Sequence, residues 1–277
     1  MKYTTIKGEK LSSIGLGTAE LGLSFNEAQE IAALRTGIDH GINIIDTAEM
    51  YSGSEEVVGK AIKGLDRDQI FLTTKFLPTN STPQRLRSAL QQSLTKLQLD
   101  YVDLYLLHWR ANADLARTVA ELVSLQKEGL IRHWGVSSFD QADMEDLIKV
   151  SGGDQCFANQ DLYNVTARGV EYDLLLWQKQ HDVGFLSYSP FHAVGWHQIT
   201  PKSSLTTIAH KHHVSPQAVI LAWIMRTGQV IPLPKAGNAR HVLDNISALD
   251  IQLDDQDLAL IDRDYPAPTH KIPLQKI

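Results

Sequence analysis

The chain has little of several features that mark particular classes of protein. Its 277 residues include a single cysteine, Cys156, which excludes an intrachain disulfide framework and a zinc site built from several cysteines. A lone cysteine also fits a reducing compartment. Lys and Arg number 26 against 32 Asp and Glu, for a formal charge of −6. This balance argues against a nucleic-acid-binding protein, because such proteins usually carry a basic surface.

Long apolar runs are missing as well. The longest, VILAWIM at 219–225, is far shorter than the roughly 20 residues that a membrane-spanning helix needs. The first ten residues, MKYTTIKGEK, have no apolar stretch behind their lysines and predict no signal peptide. We therefore expect a cytoplasmic protein that binds neither nucleic acid nor membranes. A monomer is the first expectation for its assembly, and an oligomer is the alternative.

Short β-branched or apolar segments alternate with amphipathic segments along the whole chain. The predicted strands are Ile14–Thr18, Ile42–Thr47, Ile70–Lys75, Val102–His108, Ile131–Ser138, Cys156–Leu162, Gly184–Ser189 and Val230–Pro234. Several are apolar on both faces, as parallel strands buried between helices are. This alternation of strand and helix segments predicts a single (β/α)8 TIM barrel that spans residues 1–277. A doubly wound sheet is the alternative.

Capping residues and turn residues add detail to this barrel. Thr82 and Pro83 have the residue types of an N-cap and a first helical position, and leucines follow them at helical spacing. Two extra helices are predicted after the last strand, at 239–248 and 253–264. Before the first strand, YTTIKGEKLSS predicts a β-hairpin that turns at Gly8 and covers the bottom of the barrel.

Polar side chains stand at the C-terminal ends of three neighbouring predicted strands. Asp46 ends the second strand, with Tyr51 shortly after it, while Lys75 ends the third strand and His108 the fourth. Barrels of this kind carry their active sites at these strand ends. We therefore expect the four side chains to converge on one point.

This set of groups suits proton transfer at a carbonyl or alcohol oxygen. The reference pKa of a tyrosine is about 10, and a nearby Lys75 ammonium is expected to lower that of Tyr51. Asp46 would pair with Lys75, since an unpaired buried ammonium is costly. His108 would hydrogen-bond the oxygen of a bound carbonyl. A barrel glycosidase using Asp46 and Asp161 is a further alternative, because it needs two carboxylates at the cleft.

Seven segments of the chain carry a family resemblance: INIIDTAEMYSGSEEVVGKAI, LTTKF, DLYLLHW, IRHWGVSSF, ANQDLYN, SYSPF and IPLPKA. In order and spacing they resemble the aldo-keto reductases of the prokaryotic type, over essentially the whole chain. The resemblance implies a (β/α)8 barrel, a nicotinamide cofactor bound without a Rossmann unit, and reduction of aldehydes or ketones. It places the catalytic tetrad on Asp46, Tyr51, Lys75 and His108, with Tyr51 as the general acid.

The resemblance also implies a cofactor site. Position by position, the contacts fall on Gly17, Thr18, Ser137, Ser138, Gln160, Tyr188, Ser189, Pro190, Phe191, Lys235, Asn238, His241, Asp244 and Asn245. Ser138 stands where the family usually has Asn, and Tyr188 matches the ring that stacks on the nicotinamide. Lys235 matches a contact to the 2′-phosphate, which favours NADPH. His241 replaces the Arg of many relatives, so NADH is an expected second cofactor.

The expected substrate is a small carbonyl compound. Its pocket would be rimmed by Ala19, Met50, Trp109 and Trp196, and the short loop after Trp109 predicts a broad, shallow mouth. The alternative function is a nicotinamide-sensing regulatory subunit on the same fold. That role predicts a partner-binding extension, and the sequence shows none.

Overall fold

The computed structural model describes residues 1–23, 26–194 and 197–276. Within those ranges the helices α1–α10 are Glu27–Asp39, Ser54–Ile62, Pro83–Leu97, Leu115–Lys127, Gln141–Lys149, Leu174–Gln180, Ser203–His212, Pro216–Met225, Ala239–Ser247 and Asp255–Asp264. The strands β1–β12 are Tyr3–Ile6, Glu9–Ser12, Leu16–Gly17, Ile44–Asp46, Phe71–Phe76, Val102–Leu107, Ile131–Ser137, Ala158–Leu162, Gly184–Tyr188, His192–Ala193, His197–Gln198 and Val230–Pro232. No helix in the described ranges has the length and apolar character needed to cross a bilayer.

Eight of these strands form one sheet, in the order β12-β9-β8-β7-β6-β5-β4-β3, and every pairing in it is parallel. Its two outer strands meet, since the backbone N–H of Gly15 donates to the carbonyl of Pro232 at 2.9 Å and that of Gly17 to the carbonyl of Pro234 at 3.0 Å. The sheet therefore closes into the predicted (β/α)8 barrel. The doubly wound alternative is wrong, because its sheet would stay open.

Gly17 is required where the barrel closes. A Cβ atom at this position would lie 2.5 Å from the carbonyl oxygen of Leu233, which is closer than such atoms approach. Gly17 also forms a parallel bridge with Lys235. The first strand and the chain after the last strand are thereby held side by side at the C-terminal end of the barrel.

The N-terminal hairpin closes the opposite end of the barrel, as predicted. Strands β1 and β2 pair antiparallel around a turn at Lys7 and Gly8, both of which have positive φ. Ile6 and Leu11 are buried in one cluster with barrel residues such as Phe157. The hairpin thus contributes apolar side chains to the bottom of the barrel core.

The start of α3 follows its sequence signal in part. Pro83 begins α3 as predicted, and the carbonyl of Thr82 accepts a hydrogen bond from the Leu86 N–H at 2.8 Å. The hydroxyl of Thr82, however, caps no backbone N–H in the described structure. The two helices predicted after the last strand are present as α9 and α10.

Candidate active site

A cavity of about 540 Å³ opens at the C-terminal ends of the barrel strands, and this volume is typical of sites for small molecules. Its wall includes most of the predicted site residues, namely Gly17, Thr18, Ala19, Asp46, Met50, Tyr51, His108, Trp109, Ser137, Ser138, Gln160, Tyr188, Ser189, Pro190, Phe191 and Lys235. Lys75 is fully buried next to Asp46. The strand ends therefore bring together the predicted tetrad and most of the predicted cofactor residues.

The inner end of the cavity contains a buried ion pair. The Lys75 ammonium donates to Oδ2 of Asp46 at 2.6 Å and to the carbonyl of Thr47 at 2.9 Å. Its Nζ lies 4.9 Å from the centroid of the Tyr51 ring. The Tyr51 and His108 rings meet edge to face with their centroids 5.8 Å apart. Four side chains from three strand ends thus surround one point of the wall.

Gln160 completes the hydrogen bonding of Asp46. Its side-chain amide donates to Oδ1 of Asp46 at 2.7 Å, while Lys75 occupies Oδ2. A buried ion pair is tolerated only when such hydrogen bonds satisfy both partners. Gln160, predicted as a cofactor residue, is therefore also connected to the tetrad.

The pKa shifts of Lys75 and Tyr51 differ in one respect from the sequence prediction. Burial works against the charged form of Lys75, but Asp46 and Tyr51 outweigh it and raise the pKa of Lys75 above its usual value. Burial also works against the charged form of Tyr51, which for a phenol raises the pKa, and the opposing effect of Lys75 does not cancel this rise. The predicted net lowering for Tyr51 is therefore wrong. Tyr51 stays protonated across neutral pH, which is the form that donates a proton.

His108 is neutral at physiological pH. Burial, together with the neighbouring Lys75 cation, lowers the pKa of His108 to about 3. Its Nδ1 has no hydrogen-bond partner among the described residues, and its ring lies 5.2 Å from that of Trp109. A neutral imidazole can donate one hydrogen bond to a ligand oxygen without first losing or gaining a proton.

Polar groups continue along the ends of β7, β8 and β9. Ser137 ends β7, and Ser138 follows it with a φ of 57°, a left-handed conformation in which Asn is several-fold enriched among non-glycine residues. The Ser138 N–H donates to the carbonyl of Gln160 at 2.9 Å. Burial raises the pKa of Tyr188, whose hydroxyl contacts Ser138. Hydroxyls, an amide and an aromatic ring therefore face the same part of the cavity.

The outer end of the cavity is charged and open to solvent. Lys235 lies there with its Nζ 3.7 Å from the Glu20 carboxylate, and the two side chains are 39% and 64% exposed. A cation at one end of the cavity, with an amide, hydroxyls and a tyrosine ring at the other, is a donor set that fits a phosphate-bearing nicotinamide nucleotide. The residues present therefore fit the predicted cofactor.

Other predicted residues lie elsewhere. Asn238 caps α9 by accepting the His241 N–H at 2.9 Å, and Asp244 accepts a hydrogen bond from Ser215 at 2.7 Å. These three and the buried Asn245 are absent from the described cavity wall, so their cofactor contacts stay predictions. Trp196 lies outside the described residues.

Four of the described wall residues are not among the predicted site residues: Glu20, His192, Leu233 and Lys276. The first three are next to or near predicted site residues at strand ends, so extending each predicted segment would have found them. Lys276 comes from the C-terminal tail, far from any strand end, and no sequence pattern pointed to it.

Asp161 cannot serve as the second carboxylate of the glycosidase alternative. Asp161 follows Gln160 on β8, and successive side chains of a strand point to opposite faces. Gln160 faces the cavity, whereas Asp161 is fully buried and is not part of the described wall. Burial raises the pKa of Asp161 well above its usual range. This carboxyl group is therefore unavailable to flank a sugar with Asp46.

Comparison with known proteins gives a consistent result. The chain is 41% identical over 272 residues to the methylglyoxal reductase YeaE of Escherichia coli (strain K12), and the match covers 96% of this chain and 95% of that protein. An aldo-keto reductase from Klebsiella pneumoniae in complex with NADPH superposes over 100% of both chains, with a TM-score of 0.95 and 41% identity. An aldo/keto reductase from Klebsiella pneumoniae in complex with NADP and acetate covers 100% of both chains with a TM-score of 0.92 and 40% identity.

The family model of the aldo/keto reductases matches residues 13–265. That range includes the barrel and the whole predicted tetrad. On the match to this model and on the similarity to YeaE, the chain belongs to the aldo/keto reductase family.

Proposed function

We propose that the protein reduces small aldehydes and ketones to alcohols with NADPH, and that Tyr51 delivers the proton. The observation that carries the proposal is the buried Asp46–Lys75 pair beside Tyr51, at the inner end of a cavity that fits a nicotinamide nucleotide. Relatives named as methylglyoxal reductases and relatives solved with NADPH or NADP support the reaction class and the cofactor. Nothing in the comparisons favours the sensing-subunit alternative.

The side chains at the inner end divide the chemistry between them. NADPH, when bound, supplies the hydride. His108, as a neutral imidazole, donates a hydrogen bond to the carbonyl oxygen and orients it. Tyr51 donates its phenolic proton to the same oxygen, and the Lys75 ammonium stabilises the phenolate that remains. Asp46 holds Lys75 in position.

The cofactor residues orient the nucleotide. Ser137, Ser138 and Gln160 present hydroxyl and amide groups for the nicotinamide carboxamide, and Tyr188 lies in the same cavity wall. Lys235 meets a phosphate at the outer end as a point charge. These positions fix which face of the nicotinamide is turned toward the substrate.

Methylglyoxal is the first substrate to test. The wall near the mouth includes Ala19, Met50 and Trp109, and Met50 is 50% exposed, so this part of the wall is open to solvent. A larger aromatic aldehyde would contact Trp109. The predicted broad mouth therefore favours activity on several small aldehydes.

The state of the protein in the cell is part of the same proposal. We propose a single-domain monomer in the cytoplasm. The family model covers most of the chain without interruption, and Cys156, the single cysteine, is fully buried. Size-exclusion chromatography with light scattering tests the monomer.

The decisive experiment measures NADPH oxidation with methylglyoxal and a panel of aldehydes, ketones and sugars, and repeats it with NADH. Tyr51→Phe removes the proposed proton donor, and Tyr172→Phe serves as control because Tyr172 is half-exposed and lies outside the cavity wall. We expect carbonyl-dependent oxidation that the first variant loses and the second keeps. A protein that binds NADPH but reduces no carbonyl would contradict the proposal and favour the sensing role.

A further inference from the structure

The outer end of the cavity contains a carboxylate that faces the proposed phosphate-binding lysine. Glu20 follows strand β3, and Lys235 follows strand β12. Because Gly17 bridges Lys235 where the barrel closes, the two segments are neighbours. The Glu20 carboxylate lies 3.7 Å from the Lys235 ammonium, and both residues belong to the cavity wall.

The backbone of Glu20 is fixed although its side chain is exposed. Glu20 has a φ of 67°, in the left-handed region that residues with a side chain seldom adopt. The next residue, Leu21, is fully buried, and its N–H donates to the carbonyl of Thr18 at 3.0 Å. Thr18 in turn donates from its hydroxyl to the carbonyl of Asp46 at 2.9 Å. The turn therefore keeps the carboxylate within reach of Lys235.

We propose that Glu20 is a selectivity residue, which pairs with Lys235 and thereby weakens the binding of NADPH relative to NADH. The inference rests on the proposed function, in which Lys235 meets the 2′-phosphate that only NADPH carries. Glu20 and the phosphate compete for the same ammonium. NADH has no group at that position, so its affinity does not depend on this competition.

The exposed Glu20–Lys235 pair is better suited to competition with the phosphate for Lys235 than to holding Lys235 in place. An exposed ion pair contributes little to stability, so a phosphate of about −1.5 to −2 charge displaces Glu20 at little cost. The displaced carboxylate still lies within the Debye length of the phosphate, about 8 Å at physiological salt. The remaining repulsion lowers the affinity for NADPH.

The test compares Glu20→Gln with wild type in titrations of intrinsic fluorescence by NADPH and by NADH. Asp182→Asn is the matched control, because Asp182 is also an exposed acid with a left-handed φ, 53°, but precedes strand β9 at the other end of the barrel. We expect Glu20→Gln to tighten NADPH about 3- to 10-fold and NADH less than about twofold. The gain should shrink at high salt, and the control should move neither cofactor.

Three results would overturn the inference. Equal tightening of both cofactors would place Glu20 near a group that they share. Weaker NADPH binding would show that Glu20 holds Lys235 in place for the phosphate. Unchanged affinity for both cofactors would show that Glu20 has no part in cofactor binding or selectivity.

A second variant separates this inference from the proposed function. Lys235→Met should weaken NADPH selectively, and adding Glu20→Gln to it should give a smaller gain than in wild type, because the contested cation is gone. If Lys235→Met leaves NADPH binding unchanged, the 2′-phosphate lies elsewhere and the inference fails. Carbonyl reduction by the same preparations reports separately on the proposed function.

Discussion

The two ends of the cavity hold ion pairs of opposite character. At the inner end, Lys75 and Asp46 are 0% and 6% exposed, their atoms are 2.6 Å apart, and every charged oxygen of Asp46 has a donor. At the outer end, Lys235 and Glu20 are 39% and 64% exposed and 3.7 Å apart. The buried pair is fixed by its surroundings, whereas the exposed pair is free to exchange its partner.

This difference suggests how the site divides its tasks. Proton transfer needs groups in set positions, and burial makes every displacement of a charge costly. Selectivity between two cofactors is a small difference in affinity, and solvent-exposed charges adjust it without disturbing the fold. The predictions below test the inner end against the outer end.

The largest effect is expected from Tyr51→Phe. This change keeps the ring and removes the proton donor, so kcat should fall by about 10²–10⁴, the usual contribution of general acid catalysis. Affinity for NADPH should stay within about twofold, because the ring is retained. Steady-state kinetics and a fluorescence titration measure the two quantities. Near-full turnover by this variant would show that another group supplies the proton.

Lys75→Met and Lys235→Met compare the two ends directly. The first leaves Asp46 buried without its partner and should lower the free energy of unfolding by about 3–5 kcal/mol. The second removes an exposed lysine and should cost less than about 1 kcal/mol. Urea denaturation measures both, and adding Asp46→Asn to Lys75→Met should restore part of the loss. Equal losses for the two lysine variants would contradict the comparison.

His108 gives the inner end a dependence on pH. Its pKa falls from 6.5 to about 3 on folding, so its contribution to stability is complete above about pH 6.5 and decreases as the pH falls toward 3. From pH 7 to about pH 5 the loss should be about 2 kcal/mol. In His108→Gln this part of the pH dependence should vanish, as urea denaturation at several pH values will show. A wild-type kcat/KM profile with a His108 step near neutral pH would contradict the assignment.

The smallest effect is expected from Ser138→Asn. Asparagine tolerates the left-handed backbone of this position better than serine does, and it adds an amide near the nicotinamide end. We expect NADPH and NADH to bind about 2- to 5-fold tighter, the value of one hydrogen bond. Both cofactors share the nicotinamide, so the gains should be equal, in contrast to those of Glu20→Gln. Tighter binding of NADPH alone would show that Ser138 does not lie near the nicotinamide, which both cofactors share.

The strand ends were the predictable part of the site. Asp46, Lys75 and His108 end or follow apolar strand segments. Because active sites of barrels lie at the C-terminal ends of the strands, these positions predict that the three side chains lie close together. Strand bounds were less accurate: the first predicted strand, Ile14–Thr18, is Leu16–Gly17 in the structure. The apolar run is longer than the strand, because residues on either side of it, such as Ile14 and Thr18, are also buried.

Residues outside the strand rhythm were harder to place. Lys276 reaches the cavity wall from the C-terminal tail. Sequence periodicity predicts helices and strands, but it does not predict the path of an irregular tail. The predicted lowering of the Tyr51 pKa was also wrong. The sequence indicated the neighbouring cation Lys75 but not how deeply Tyr51 is buried. Desolvation depends on all surrounding atoms, so it is a property of the packed structure.

The sequence by itself determined the barrel through its alternation of strand and helix segments, and the family through its seven quoted segments. It also placed the four residues of the proposed tetrad at or near strand ends. Only the tertiary structure decided the pairing of Glu20 with Lys235 and the hydrogen bond from Gln160 to Asp46. Both contacts join residues that are far apart in the chain. Closure of the barrel brings them together, and side-chain packing sets their distances, which no local pattern encodes.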